Sequence, residues 1–368
     1  MDQETAQQII ESRHVLFACA ELSGQETKTR EYIKLFLHSH TSLNIVDRGA
    51  WLYAKHDEGA EKTVVVRADH DAVPTACGPR HLCGHDGHTA ALLGLAMLLE
   101  GKTLGKNVIL LFQHAEETGA GATDCCDLFA LEALTRENAC ILGCHNIPGE
   151  PLGTALFRRG TFACASCGLD VHLSGSPTHA AYPENGINPS AAVADLALEL
   201  PAIAARTAEK YRCMSLATIV GLRSGERAFG VAASEGSLWV TLRAETASAF
   251  DELNARADQA VCAAANADHL HFTIEREDVF PATENDRALQ DALETACSTQ
   301  GISYKYLNQP FRWSEDFGHY GSYVPACFFG VGAGLDTPPL HTGHYAYPDE
   351  LAPITAAMLF RILDSRCF

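Results

Sequence analysis

Basic side chains and long apolar runs are both scarce in this sequence. The 368 residues contain 27 Lys and Arg against 46 Asp and Glu, which gives a formal net charge of −19 at pH 7. Binding to a phosphate backbone depends on clustered Lys and Arg, so we expect no nucleic-acid partner. No apolar run approaches the roughly 20 residues that a transmembrane helix needs, so we expect no membrane partner.

The amino-terminal segment also lacks the features of a secretion signal. Residues 1–20 open with acidic side chains, and their longest apolar run is shorter than a signal requires. We therefore expect a cytoplasmic protein. The 14 cysteines should then stay reduced, and because their spacing shows no repeating framework, most are expected to be small buried apolar residues.

The composition that remains is that of a folded globular protein. Hydrophobic residues make up 47% of the chain and charged residues 20%, with no low-complexity tract. A chain of 368 residues exceeds the size at which one hydrophobic core usually stops growing, so two domains are expected.

Four apolar runs each lead into a loop that carries polar or metal-binding side chains. They cover residues 63–68, 107–112, 139–144 and 326–331. Continuous β-branched and aliphatic runs are typical of strands buried on both faces. Ligands of open α/β sheets bind at the carboxyl ends of the strands. The pattern therefore predicts an α/β domain with an open mixed sheet flanked by helices and a site at that edge.

The central part of the chain follows a different pattern. Between residues 167 and 280, long strand-like segments alternate with two long helical segments. This order is typical of an α+β unit with a mostly antiparallel sheet and two helices on one face. We predict that it is inserted into the first domain, which would then consist of residues 1–166 and 281–368.

The segment 81–94, HLCGHDGHTAALLG, places several metal-binding side chains at the start of a helical pattern. We predict a helix over residues 87–100 with Asp86 as its N-cap. The positive end of that helix would favour a thiolate at Cys83.

Further candidate ligands follow the other predicted strands. The complete set is Cys83, His85, Glu116, Glu117, His145 and His341. These are more donors than one tetrahedral ion needs, so two ions that share a ligand are expected. Such ion pairs activate a water, and a remaining carboxylate would act as general base. The spacing leaves open which of Glu116 and Glu117 is the ligand.

Seven segments, in order, carry a recognisable set of motifs. They are RADHDAVP (67–74), HLCGHDGHTAALLG (81–94), FQHAEETGAGA (112–122), GCHNIPGEPLGT (143–154), SPTHAAYPENGINP (176–189), SEDFG (314–318) and PLHTGHYAYPDE (339–350). The set resembles the metal-dependent amidohydrolases that include hippurate hydrolase, the aminoacylases and the indole-acetyl-amino-acid hydrolases. The resemblance implies a zinc-exopeptidase-like catalytic domain and an inserted lid domain through which the protein forms a homodimer.

The resemblance also assigns the candidate ligands. It implies two divalent ions per subunit, which could be zinc, manganese, cobalt or nickel, with Cys83 in the bridging position. Glu116 matches the residue that deprotonates the attacking water and then protonates the leaving amine. The implied ligands are Cys83, His85, Glu117, His145 and His341.

Four other residues receive roles from the same resemblance. His179 matches a histidine that polarises the scissile carbonyl or holds the substrate, and Arg243 matches a recurring arginine of the lid. Asp71 matches a residue that orients a ligand, and Asp86 is expected to cap the helix or to orient a ligand.

Two positions depart from the family pattern. Glu184 stands where many relatives carry a histidine, and residues 229–233 (FGVAA) replace an Asn-Val-Ile-Pro run whose Asn often contacts the substrate. These departures lie in the predicted lid. They bear on substrate recognition and leave the ligand set untouched.

The leading hypothesis is hydrolysis of an N-acyl amino acid or a related small N-acyl amide. A dipeptidase or carboxypeptidase activity is the alternative on the same site. A different mechanism would use Cys83 as a covalent nucleophile activated by His85 or His145. The remaining alternative is a metal-dependent binding protein without catalysis, against which the presence of Glu116 argues.

Overall fold

The computed structural model describes all 368 residues. Nine α-helices occur along the chain: α1 (Gln3–Ala18), α2 (Thr27–His40), α3 (His85–Leu99), α4 (Gly121–Cys125), α5 (Asp127–Leu131), α6 (Ser190–Tyr211), α7 (Ala247–Ala267), α8 (Arg287–Thr299) and α9 (Leu351–Asp364). Two 3₁₀ helices cover Pro183–Asn185 and Asp316–Ser322. None of the helices combines the length and the apolar composition that crossing a membrane requires.

The strands fall into one large sheet, one sheet of four strands and several short pairs. In chain order they are β1 (Asn44–Asp47), β2 (Leu52–His56), β3 (Thr63–Asp69), β4 (Val73–Thr75), β5 (Gly78–Arg80), β6 (Asn107–Gln113), β7 (Ala139–Ile147), β8 (Ala155–Phe157), β9 (Thr161–Ala163), β10 (Ala165–Ser174), β11 (Thr178–His179), β12 (Ser215–Ser224), β13 (Val231–Ala232), β14 (Glu235–Ala244), β15 (His271–Phe280), β16 (Thr283–Glu284), β17 (Tyr304–Tyr306) and β18 (Ala326–Gly332).

The chain forms two compact units. The first consists of residues 1–162, 283–310 and 315–368, and the second of residues 163–282 and 311–314. The second unit includes residues 167–280, the segment that the sequence pattern predicts to be an insertion.

The first unit is built on an eight-stranded sheet in the order β1-β2-β6-β3-β7-β18-β8-β17. Its centre is parallel: β3 pairs with β6 and with β7, and β18 pairs with β7. The edge formed by β1 and β2 is antiparallel. Every residue of β3 and of β18 is buried, which explains why these strands read as continuous apolar runs.

Helices α1, α3 and α9 pack together against this sheet and form much of its core. Helix α3 is buried along nearly its whole length, so its sequence is apolar on all sides. At Gly94 a Cβ atom would lie 2.4 Å from Cδ1 of Ile9, so the approach of α1 to α3 requires glycine. Close packing at this point holds the amino-terminal helix against the helix that begins at His85.

The second unit contains a four-stranded antiparallel sheet in the order β12-β14-β10-β15. Helices α6 and α7 bury their apolar residues with one face of the sheet in a separate core. This is the α+β arrangement that the sequence pattern predicts.

Candidate metal centre

The carboxyl ends of β6, β3, β7 and β18 meet along one edge because these strands are parallel neighbours. The loops after β3, β6 and β18 carry Cys83, Glu117 and His341, and His145 lies near the end of β7 itself. Residues that are far apart in the sequence therefore converge, as expected for an open α/β sheet.

Helix α3 begins differently from the sequence prediction. Its N-cap is Gly84, with a left-handed φ of 100°, and the helix starts at His85. A Cβ atom at this glycine would lie 2.5 Å from Oδ1 of Asn146. Asp86 lies inside the first turn and accepts a hydrogen bond from Arg13 at 2.9 Å. The prediction of Asp86 as N-cap is therefore wrong, because the crowded turn at this point admits only glycine.

The five ligands that the family resemblance implies form two groups that share Cys83. One group adds His85 and His145, the other adds Glu117 and His341, and within each group the ligand atoms all lie within 4.8 Å of one another. In the first group, Sγ of Cys83 lies 3.3 Å from Nε2 of His145. In the second, Nε2 of His341 lies 3.5 Å from Oε1 of Glu117. Cys83 is the residue common to these two groups, and His85, Glu116 and Glu117 form a further close group.

Asp71 fixes the orientation of His85. Its Oδ1 accepts the Nδ1–H of His85 at 2.9 Å, while its Oδ2 accepts the backbone N–H of Glu117 at 3.0 Å and the hydroxyl of Ser23 at 2.7 Å. The ring is thereby turned so that Nε2 lies 3.8 Å from Oε1 of Glu117. Both of these atoms are buried without a hydrogen-bond partner.

Glu116 is buried beside these ligands. Its Oε2 lies 3.9 Å from Nε2 of His85, and its carboxyl also forms a close group with those of Glu315 and Asp316. Burial, together with the charge of Glu315, raises the pKa of Glu116 well above its ordinary value. A carboxyl in this environment binds a proton readily, as a general base that must later act as an acid does.

A buried arginine, Arg67, contacts the two carboxyls that lie beside Glu116, and no role for it was predicted from the sequence. Arg67 donates hydrogen bonds to Asp69 at 2.6 Å and to Asp316 at 2.8 Å, and it lies 2.9 Å from Oε1 of Glu315. Burial raises the pKa of Glu315 to about 8 and that of Asp316 to about 6. An arginine inside an otherwise apolar strand is the sequence signal, because a buried guanidinium needs carboxylate partners.

His88 links the start of α3 to two strands. Its Nδ1 lies 2.6 Å from Oδ1 of Asp69, and its Nε2 lies 2.6 Å from Oδ1 of Asn146. The contact with Asp69 was not foreseen, because nothing in the sequence pairs residues 69 and 88. These contacts hold the turn that carries His85.

The surroundings of His85 and His341 favour positive charge, whereas burial lowers the pKa of His145. Burial opposes the charged form of His85, but Asp69 and Cys83 outweigh it and raise the pKa of His85 well above its usual value. Contacts with Cys83 and Glu117 raise the pKa of His341 to about 10. Sulfur, imidazole and carboxylate donors suit several divalent ions. Together with the unpartnered atoms of His85 and Glu117, this shows that the residues fit divalent cations.

The pKa of the Cys83 thiol is shifted in the direction opposite to the one that the sequence predicts. Burial is the largest effect on this thiol, and it raises the pKa of Cys83 above its ordinary value, with Glu117 acting in the same direction. The prediction that Cys83 is a thiolate at the start of α3 is therefore wrong for the protein without a bound cation. Loss of hydration and the charge of Glu117 outweigh the lowering effects of His85 and His341 on this pKa, and a cation would be needed to favour the thiolate.

The two predicted substrate-binding residues lie in the second unit. His179 ends β11, is exposed, and its Nδ1 accepts the backbone N–H of Ala181 at 3.1 Å. Arg243 lies in β14 and donates from Nη1 to the hydroxyl of Ser314 at 2.6 Å. Their contacts with a substrate stay predictions.

A family model described as peptidase family M20/M25/M40 matches residues 65–365. The chain belongs to this family. The M20 assignment confirms the predicted relationship, the predicted fold class and the prediction of an amidohydrolase.

Individual relatives agree with the assignment. IAA-amino acid hydrolase ILR1-like 4 of Arabidopsis thaliana is 30% identical over 317 residues, which cover 80% of this chain and 71% of the relative. N-acetyl-L-cysteine deacetylase of Bacillus subtilis is 28% identical over 382 residues, which cover 97% of this chain and 89% of the relative. The solved structure of the Bacillus subtilis YXEP protein, described as a dinuclear metal binding peptidase from the M20 family, superposes with a TM-score of 0.82 at 22% identity and covers 99% of this chain and 98% of that one.

Proposed function

We propose that this M20 protein hydrolyses the amide bond of N-acyl amino acids or related small N-acyl amides. The observation that carries the proposal is the convergence of two ligand groups on Cys83, with the buried carboxyl of Glu116 beside them. The substrate class is supported by the names of the relatives, which include an N-acetyl-L-cysteine deacetylase and an IAA-amino acid hydrolase.

The two groups of donors would each hold one divalent ion. His85 and His145 would bind one, Glu117 and His341 would bind the other, and Cys83 would bind both. When bound, such ions polarise the acyl oxygen and lower the pKa of water. Asp71 keeps the Nδ1 proton of His85 in place, so that Nε2 presents its lone pair to the site.

Glu116 would move the proton in the reaction. It takes a proton from the attacking water as the water oxygen bonds to the acyl carbon. The carbon–nitrogen bond then breaks, and Glu116 gives that proton to the leaving nitrogen. The products are a carboxylic acid and a free amine. The buried position of Glu116 limits proton exchange with solvent between these two steps.

The remaining assignments follow the family resemblance. We propose that His179 and Arg243 of the second unit bind the substrate and that this unit acts as lid and homodimer surface. Asp86, through its ion pair with Arg13, would hold the first turn of α3 against α1.

The decisive test is Glu116→Gln, which keeps the size of the side chain and removes its basicity. We expect kcat to fall by about 10²–10⁴-fold, the usual contribution of general acid–base catalysis. Metal content, measured by mass spectrometry, should stay at the wild-type level. Glu137→Gln, which changes an exposed carboxylate, is the matched control. Wild-type turnover in Glu116→Gln would remove Glu116 from its assigned role.

The substrate class is tested with a paired panel. N-acetyl, N-benzoyl and indole-acetyl amino acids are each assayed with a free carboxylate and as the corresponding carboxamide, alongside dipeptides. We expect release of free amine from the N-acyl compounds at a kcat/KM at least tenfold above that for dipeptides. The reverse order would favour the dipeptidase alternative.

A further inference from the structure

The connection between α1 and α2, residues 19–26, reaches the edge of the sheet that carries the site. Its Leu22 forms a parallel bridge with Ala72, and the backbone N–H of Ala72 donates to the carbonyl of Glu21 at 2.9 Å. The hydroxyl of Ser23 donates to Asp71 at 2.7 Å. This connection is therefore held firmly against the segment that follows β3.

The turn that carries the two site carboxylates begins at an unusual residue. Ala115 has a φ of 47°, in the left-handed region that residues other than glycine rarely adopt. It directly precedes Glu116 and Glu117, so its backbone conformation decides where both side chains point. Ala115 is buried, and its N–H therefore needs a hydrogen-bond acceptor within the protein.

That acceptor is a side chain from the α1–α2 connection. Oε1 of Glu26 accepts the N–H of Ala115 at 2.8 Å. Glu26 is only 6% exposed, and although it occupies the N-cap position of α2, its side chain makes no capping hydrogen bond. Capping of α2 falls to Glu21, whose Oε2 accepts the backbone N–H groups of Lys28 and Thr29 at 2.9 and 3.0 Å. The carboxylate of Glu26 therefore accepts a hydrogen bond from the turn at Ala115 and does not cap α2.

We propose that Glu26 is a positioning residue for the reaction, which holds Ala115 in its left-handed conformation and thereby places Glu116 and Glu117. The proposal rests on the function proposed above for those two carboxylates. This role of Glu26 requires an acceptor oxygen at the position of Oε1, but it does not require a negative charge.

Three substitutions separate these requirements. Glu26→Gln keeps an acceptor oxygen at the same reach without the charge. Glu26→Ala removes the acceptor. Glu26→Asp keeps the charge but is one methylene shorter, and it serves as the acceptor-deficient variant should Glu26→Ala fail to fold. Glu21→Ala is the matched control, because it loosens the same connection at the cap of α2 and leaves the Ala115 contact in place.

Two measurements read the outcome: amide hydrogen exchange of a peptide covering residues 113–120, and kcat at saturating Zn²⁺. We expect Glu26→Ala and Glu26→Asp to speed exchange of the Ala115 amide at least tenfold and to lower kcat by about 10–100-fold, since a displacement of about 1 Å can cost 10²-fold. Glu26→Gln should stay within about threefold of wild type in both. Glu21→Ala should lower the Tm while exchange in the 113–120 peptide stays at the wild-type rate.

Two results would overturn the proposal. One is wild-type exchange and kcat in a folded Glu26→Ala or Glu26→Asp protein. The other is a loss in Glu26→Gln as large as that in Glu26→Ala, which would assign the effect to charge. If the wild-type protein hydrolyses no amide, the function proposed above fails, and with it the placement of catalytic carboxylates. The exchange rates would still decide whether Glu26 holds the turn.

Discussion

The hydrogen bonds of Asp71 allow the effect of a single substitution to be worked out. Asp71 accepts from His85 at 2.9 Å through one oxygen, and from Glu117 at 3.0 Å and Ser23 at 2.7 Å through the other. Asp71→Asn keeps the shape but has only one oxygen. Ser23 can turn its hydroxyl to suit either group. One of the other two N–H groups must therefore face an amino group.

Either orientation of the new amide disturbs the site. If the amino group faces His85, Nδ1 of the ring must accept and the imidazole proton moves to Nε2, the atom proposed to bind an ion. If it faces Glu117, the backbone of a proposed ligand loses its acceptor. A buried N–H without a partner costs about 1–3 kcal/mol. At about 1.4 kcal/mol per factor of ten, this predicts roughly a 5- to 150-fold loss of metal affinity.

The measurement is a zinc titration in competition with a chromophoric chelator, together with kcat/KM. Asp124→Asn is the control, because Asp124 is an exposed carboxylate that lies 3.3 Å from Nε2 of His114 and belongs to neither ligand group. A zinc affinity of Asp71→Asn within twofold of wild type would show that Asp71 does not control the ring of His85.

Three further predictions concern stability and metal removal. Arg67→Met leaves several buried carboxyls without their cation, so the free energy of unfolding should fall by about 3–5 kcal/mol; an unchanged denaturant midpoint would contradict this. Burial lowers the pKa of His70 from 6.5 to about 3, so its contribution to stability is present above pH 6.5 and is lost as the pH falls towards 3. When the pH is lowered from 7 to 5, the free energy of unfolding of His70→Met, measured by urea titration, should therefore fall by about 2 kcal/mol less than that of the wild type. His38→Asn, which changes an exposed histidine, should lose as much as the wild type. A chelator should abolish turnover, and Zn²⁺, Mn²⁺ or Co²⁺ should restore it; chelator-indifferent activity that iodoacetamide blocks would instead favour Cys83 as nucleophile.

The sequence predicts the central strands well, and the residues that it offers as candidate ligands lie close together in the structure. The runs at 63–68 and 326–331 are largely apolar because β3 and β18 are buried along their length, and buried positions favour apolar residues. Parallel order then brings the loop residues to one edge. For this reason Cys83, His85 and His341 could be named before their distances were known.

Contacts between distant side chains were beyond prediction. Asp86 is a favourable cap residue by type, but the turn at Gly84 is dictated by crowding from Asn146 and Tyr345, which lie far along the chain. Likewise, the Glu26 contact with Ala115 joins two loops 89 positions apart. Only the folded arrangement shows such pairs.

The place of β18 in the large sheet has a consequence for biosynthesis. This strand is the last to be made, yet it lies between β7 and β8, inside the sheet. A ribosome-bound chain that stops short of residue 326 must expose the hydrogen-bonding edge of β7, a surface prone to pairing with other chains. Since His341 follows β18, the nascent protein completes the proposed set of metal ligands only after this edge of β7 has been covered.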